Sequence, residues 1–199
     1  MAEENVSDTK LILTISCPDG PGIVHAVSNI IVENQGNIIQ SQQFGDPDTG
    51  LFFMRVELEC PAGRAPIEVG MEEFAKRFDA VWNLDLYGRP LRTIIMVSKE
   101  GHCLTDLLYR QRYADLPIDV VAIVGNHPDL APVAQFYGIP FLCIPVTKDT
   151  KAAAEDELLN LVRAENIELV VLARYMQILS DSLCDELAGN VINIHHSFL

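Results

Sequence analysis

The sequence predicts an α/β protein in two successive units: a closed βαββαβ unit over residues 1–88, then an open, mostly parallel, doubly wound α/β unit over residues 89–199. Three observations predict it. Up to Tyr87 the apolar pattern switches between a period of two and helical spacing in the order strand, helix, strand, strand, helix, strand. Beyond Gly88-Arg89-Pro90, nearly unbroken apolar runs alternate with helical stretches, as strands buried on both faces do. And 199 residues, 49% of them hydrophobic, carry enough apolar material for one large or two small cores.

Lys10 to Ser16 reads as the first strand, closed by Pro18-Asp19-Gly20-Pro21-Gly22. Ile23, Val24, Val27, Ile30 and Ile31 recur at helical spacing, and Gly36 with Asn37 supplies the left-handed exit. Ile38 to Phe44 is the second strand, Asp46 to Gly50 a turn, and Leu51 to Glu59 the third strand, with Phe52, Met54, Val56 and Leu58 on one face and Phe53, Arg55, Glu57 and Glu59 on the other. Pro66 to Phe78 makes a second helix through Ile67, Val69, Met71, Phe74 and Phe78, and Val81 to Tyr87 a fourth strand. The order is the ferredoxin-like βαββαβ arrangement. In the second unit the runs are Arg92–Ser98, Ile118–Val124, Ile167–Ala173 and the shorter Val191–Ile194. Helical faces lie at Leu104, Leu107 and Leu108, at Leu158, Leu159, Leu161 and Val162, and from Asp181 to Ala188.

The net charge of −14 opposes binding to polyanions, so nucleic acid and anionic membrane are excluded as partners. The N-terminus is acidic and has no basic-then-apolar leader, and no apolar run reaches the roughly 18 residues that span a bilayer; a soluble cytoplasmic protein is expected. Cys17, Cys60, Cys103, Cys143 and Cys184 form no C-x-x-C pair and are expected to be reduced and mostly buried. Their even spacing does not extend to a repeat in the apolar pattern.

Gly20-Pro21-Gly22 mimics part of a dinucleotide fingerprint, but His25 stands at the third glycine position and the next strand turns back as a hairpin. His25 itself reads as a packed or surface histidine. The segment Cys17 to Val24, with Gly36-Asn37-Ile38 after the helix, resembles an ACT domain. That resemblance implies a regulatory module whose loop and helix start hold a small amino acid, such as glycine or methionine, through Asp19, Gly20, Gly22 and Asn37. Free N–H groups at a helix N-terminus suit a carboxylate. The same residues also make an ordinary turn, and both readings stand. ACT modules commonly pair edge to edge, which implies a homodimer or homotetramer.

In open parallel sheets ligands gather beyond the carboxyl ends of the strands. There the sequence places Ser98 to His102, Gly125-Asn126-His127, Arg174 to Gln177, and Asn193 to Ser197. Asn193 offers an amide N–H, and His195 points to the same side if the strand geometry persists. Together they can hold a carbonyl oxygen and stabilise the oxyanion formed on attack, with His195 protonated or shuttling the proton. His196 faces the other way, which argues against both imidazoles chelating one metal.

Val170 to Ser180, followed by Val191 to Leu199, resembles the folate-dependent formyltransferase family with its Asn-x-His motif. The resemblance implies a catalytic pair, Asn193 and His195, and a substrate-binding set of Met176, Gln177, Ile178 and Leu179 along the pterin pocket with His196 and Ser197 beside the pair. It also implies a formyltransferase-like catalytic domain over 89–199 behind an ACT-like regulatory domain over 1–88. That combination, together with Ser98 to Leu108, is similar to the branch of the family that hydrolyses 10-formyltetrahydrofolate to tetrahydrofolate and formate. Glu100 lies where transferases cradle an acceptor's phosphate, and His196 where they commonly carry Pro, so water fits better as acceptor. Folate is then the substrate, and no metal or redox cofactor is expected. Transfer to an amine and a non-catalytic ACT-type sensor are the competing readings. The family's third catalytic residue is an Asp in a loop well past the Asn-x-His motif; the sequence ends before it, and the 199-residue chain is expected to be inactive alone.

Overall fold

The computed structural model describes residues 9–114 and 116–194. The chain divides into two compact units, Met1–Arg89 and Pro90–Leu199.

In the first unit the strands are β1 (Lys10–Pro18), β2 (Asn37–Asp46), β3 (Leu51–Glu59) and β4 (Val81–Leu86), and the helices are α1 (Ile23–Glu33) and α2 (Arg64–Phe78). The sheet is antiparallel, in the order β2-β3-β1-β4. Alternation along β1 and β3 sends Leu11, Leu13, Ile15 and Cys17 with Phe52, Met54, Val56 and Leu58 to one face. These residues pack with Ile23, Val27 and Ile31 of α1 and Ile67, Met71 and Phe74 of α2 into one core. Gly70 is required at the contact between the helices, because a Cβ there would lie 2.6 Å from Ile30 Cγ2.

Three local expectations are corrected here. Val24 and Val69 are exposed, since neither lies on the stripe of its helix that faces the sheet. The left-handed exit of α1 falls on Gln35 (φ 59°) rather than on Gly36 or Asn37. Gly36 is needed for another reason: a side chain there would meet Ile31 Cγ2 at 2.8 Å and the Ile31 carbonyl at 3.0 Å.

The second unit holds β5 (Leu91–Val97), β6 (Ile118–Gly125), β7 (Phe141–Cys143), β8 (Leu169–Ala173) and β9 (Val191–Ile194). Its helices are α3 (His102–Tyr113), α4 (Ala131–Tyr137), α5 (Lys151–Ala164) and α6 (Asp181–Glu186). The five strands are parallel, in the order β7-β6-β5-β8-β9. Alternate residues of β5 face opposite layers. Ile94 and Met96 pack with Ala154 and Leu158 of α5 and Leu183 of α6, whereas Ile95 and Val97 pack with Leu104 and Leu108 of α3 and Ala134 of α4. Burial on both faces explains the unbroken apolar runs. The strand β7 and helix α4 were not among the predicted elements. Pro128, Pro132 and Pro140 interrupt that stretch, and a three-residue strand shows no periodicity.

Candidate active site

The sheet of the second unit grows from β5 to β6 and β7 on one side, then returns to add β8 and β9 on the other. This reversal leaves β5 and β8 as neighbours whose following loops diverge, the usual place for a ligand crevice in an open parallel sheet. The two loops are tied together there. Ser98, only 4% exposed, follows β5, and its Oγ accepts the Met176 N–H at 2.9 Å. Asn126 follows β6 and donates its backbone N–H to the Val97 carbonyl at 3.3 Å. Two buried side-chain atoms have no hydrogen-bond partner among the described residues, Asn126 Oδ1 and Arg174 Nε, and both lie just past the ends of the strands that flank β5. Arg174 also adopts a left-handed backbone, φ 59°, which a non-glycine residue enters only against a steric cost.

The loop from Arg174 to Ser180 carries the residues expected along the pterin pocket. Met176 is 52% exposed and Ile178 86% exposed; Gln177 and Leu179 are half-buried. Behind the loop, Met96, Val124, Ile144 and Leu158 line a cavity of about 20 Å³, room for one water, with Tyr175, Gln177 and Glu155 among its polar walls. Burial pushes the Tyr175 hydroxyl up to about 12, and the charge of Glu155 adds to that shift, so it stays protonated at neutral pH. The far end of the loop is held from α5: Glu155 Oε1 accepts the Ser180 N–H at 2.9 Å and Oε2 accepts the Ser180 hydroxyl at 2.5 Å. Ser180 Oγ in turn caps α6 by accepting Leu183 N–H at 3.2 Å.

Asn193 is exposed on β9, level with Leu172 of β8, and Ile194 is level with Ala173. Its strand therefore runs to the same sheet edge as Arg174. His195, His196 and Ser197 lie outside the described residues. The loop after β5 exposes Lys99 and Glu100 ahead of α3. Among the described residues no cluster of His, Cys, Asp or Glu could hold a metal ion.

In the first unit the expected effector residues do not converge within one chain. Asp19, Gly20 and Gly22 follow β1. Gly22 is the N-cap of α1, with φ 91°, and makes no side-chain cap hydrogen bond to the first turn. Gly45 of β2 leaves room for Asp19, whose Oδ2 would lie 3.2 Å from a Cβ placed there. Asn37 sits at the opposite end of the sheet, level with Glu59 and, through it, Lys10. That is eight residues along β1 from Pro18 (18 − 10), or about 25 Å at the usual strand rise. His25 is exposed.

Sequence reasoning did not single out Glu155. It stands in the middle of an ordinary amphipathic helix, 25 residues from Ser180. The only local signal was Ser180 itself, a good N-cap residue before Asp181.

The formyl transferase family matches residues 91–199, and the ACT domain matches residues 11–68. A formyltetrahydrofolate deformylase of Corynebacterium sp. is 47% identical over 191 residues, which cover 94% of this chain and 67% of that protein. Among solved structures, a formyltetrahydrofolate deformylase from Pseudomonas putida superposes with a TM-score of 0.87 at 40% identity, covering 94% of this chain and 68% of that one. The corresponding protein from Burkholderia mallei superposes with a TM-score of 0.89 at 39% identity, covering 96% and 68%. The chain belongs to the formyltetrahydrofolate deformylase family, with an ACT domain ahead of a formyl transferase domain. It spans about two thirds of the length of the curated relatives it matches, 67% and 66% for two of them.

Proposed function

We propose that this protein hydrolyses 10-formyltetrahydrofolate to tetrahydrofolate and formate. The observation that carries the reading is that similarity to the deformylases extends over 94% of the chain and includes the ACT domain, whereas similarity to glycinamide ribonucleotide transformylase from Geobacillus kaustophilus covers 56%. The roles follow from the chemistry of the residues. The Asn193 amide and His195 polarise the formyl carbonyl, water adds to its carbon and gives up a proton to His195, and the C–N10 bond breaks as His195 passes that proton to N10, leaving formic acid that ionises to formate. Met176, Gln177, Ile178 and Leu179 form the wall against the pterin, with His196 and Ser197 beside the reacting group. No metal or redox group enters this sequence of steps.

The ACT unit, over residues 1–88, binds a small amino acid such as glycine or methionine at the uncapped start of α1. Completing that site takes two chains. Residues 37–45 of β2 carry no charge, so two β2 edges can pair antiparallel without like-charge conflict. Centred on Ser41, such pairing sets Asn37 against Gly45 of the partner subunit and hence near the partner's Asp19. A homodimer or homotetramer follows from the same contact.

The decisive test is formate release by the full-length protein from 10-formyltetrahydrofolate with no amine acceptor present. Turnover under those conditions is expected; a strict requirement for an added amine would overturn hydrolysis in favour of transfer. Calorimetry that finds neither glycine nor methionine bound would remove the effector reading and leave the catalytic one standing.

A further inference from the structure

The loop from Arg174 to Ser180 poses a physical problem. It presents Met176 and Ile178 to solvent, 52% and 86% exposed, so these two side chains do little to fix its shape, and core packing reaches the loop only through Tyr175 and Leu179. An apolar segment of this kind would ordinarily sample many conformations, and a ligand ordering it on binding would lose affinity for each side chain immobilised. The loop is instead held at two points by groups from different elements. Ser98 Oγ at the end of β5 accepts the Met176 N–H. Glu155, 16% exposed on α5, commits both carboxylate oxygens to Ser180. Between these two anchors lie Gln177, Ile178 and Leu179.

The Glu155 bonds are more than a helix cap. Ser180 Oγ already serves α6 by accepting the Leu183 N–H, and that role needs no carboxylate. What Glu155 adds is a fixed position for the Ser180 backbone and hydroxyl together, through two charge-assisted bonds. Lys151 Nζ, one helical turn earlier and 3.9 Å from Oε1, keeps a positive charge beside the half-sequestered carboxylate. The apolar residues on either side of Ser180 have separate support: Leu179 and Leu183 pack on the same core as Leu158 of α5.

We infer that Glu155 is a positioning residue: with Ser98 at the opposite end, it holds the Met176–Leu179 segment in its binding shape before the folate arrives. This deepens the proposed hydrolysis and rests on it for the identity of the ligand. The consequence is kinetic. A loop that must be ordered by substrate weakens binding in the ground state and the transition state alike, which raises KM and leaves kcat nearly unchanged.

The test compares full-length wild type with Glu155→Gln, Glu155→Ala and Ser98→Ala in formate release from 10-formyltetrahydrofolate. Glu155→Gln keeps one acceptor oxygen and loses the other. The expected outcome is a rise in KM of about tenfold for Glu155→Ala, smaller for Glu155→Gln, with kcat within about twofold in each. Ser98→Ala, which leaves Glu155 untouched, is expected to show the same KM signature. A role confined to fold stability would lower the active fraction, seen as a fall in kcat at unchanged KM, and that result would overturn the inference. Hydrogen exchange separates this failure from failure of the hydrolysis reading, because it needs no substrate. Amides of residues 176–180 should exchange faster in Glu155→Ala than in wild type, with the strands of the same unit unaffected. Equal exchange in both proteins would sink the positioning role whatever the enzyme hydrolyses.

Discussion

Ser98 Oγ and Met176 N are 2.9 Å apart, a hydrogen bond across 78 residues of sequence that joins the loops after β5 and β8 where the sheet changes direction. Ser98→Ala removes the acceptor and leaves the Met176 N–H unpaired in a partly buried position, a loss of about 1–3 kcal/mol. The Met176 amide is therefore expected to exchange with solvent at least about tenfold faster in Ser98→Ala, measured by NMR-detected hydrogen exchange. No change at that amide would show that the hydroxyl does not hold the loop.

Tyr175 titrates at about 12 against an ordinary 10.0. A raised value in the fold means that the neutral form is favoured there, so this contribution to stability is fully present below pH 10.0 and is lost as pH rises toward 12. Alkaline unfolding followed by circular dichroism should be less steep over that window in Tyr175→Phe than in wild type. Identical profiles would remove Tyr175 from the pH response.

Close packing puts two glycines under direct test. At Gly125, at the end of β6, a Cβ would lie 2.6 Å from Phe141 Cζ and 2.8 Å from the His127 carbonyl oxygen; at Gly70 it would lie 2.6 Å from Ile30 Cγ2. Gly125→Ala and Gly70→Ala are each expected to destabilise by about 1–3 kcal/mol, read as a lower thermal midpoint. An unchanged midpoint would mean that the neighbouring elements yield at no cost.

The cysteines divide by burial. Cys17 and Cys60 are buried, whereas Cys143 and Cys184 are exposed. Burial, with Asp19 nearby, pushes the Cys17 thiol up, so it holds little thiolate at mildly alkaline pH. Iodoacetamide followed by peptide mass mapping should label Cys143 and Cys184 first and reach Cys17 only after denaturation. Early labelling of Cys17 would contradict its place in the core.

Under the proposed hydrolysis, Asn193→Ala removes a donor to the developing oxyanion. The expected loss is of order 10² or more in kcat, measured as formate release by the full-length protein. Because Asn193 is exposed on β9, the substitution should leave the unfolding free energy within about 0.5 kcal/mol of wild type. Unchanged formate release would remove Asn193 from the catalytic pair.

Much of the fold was legible in the residues because its signals are local. Alternation along Leu11 to Cys17 and Phe52 to Leu58 marks a sheet with one buried face, and the unbroken runs of β5, β6 and β8 mark a sheet buried on both. The misjudged positions are those where a neighbour in space decides. Val69 has helical spacing but faces solvent, Gln35 rather than Gly36 takes the left-handed turn because Gly36 is spent on contact with Ile31, and β7 is too short to show a pattern.

The sequence by itself determined the order of the elements other than β7 and α4, the division into two units, and a family-specific pattern from Val170 to Leu199, since periodicity, turn residues and motifs are properties of nearby residues. Only the tertiary structure decided what meets what. Strand order makes β5 and β8 neighbours and so brings Ser98 to Met176; the packing of α5 on the sheet brings Glu155 to Ser180; and antiparallel pairing carries Asn37 away from Asp19. Each of these depends on contacts between segments far apart in the chain, which no local pattern encodes.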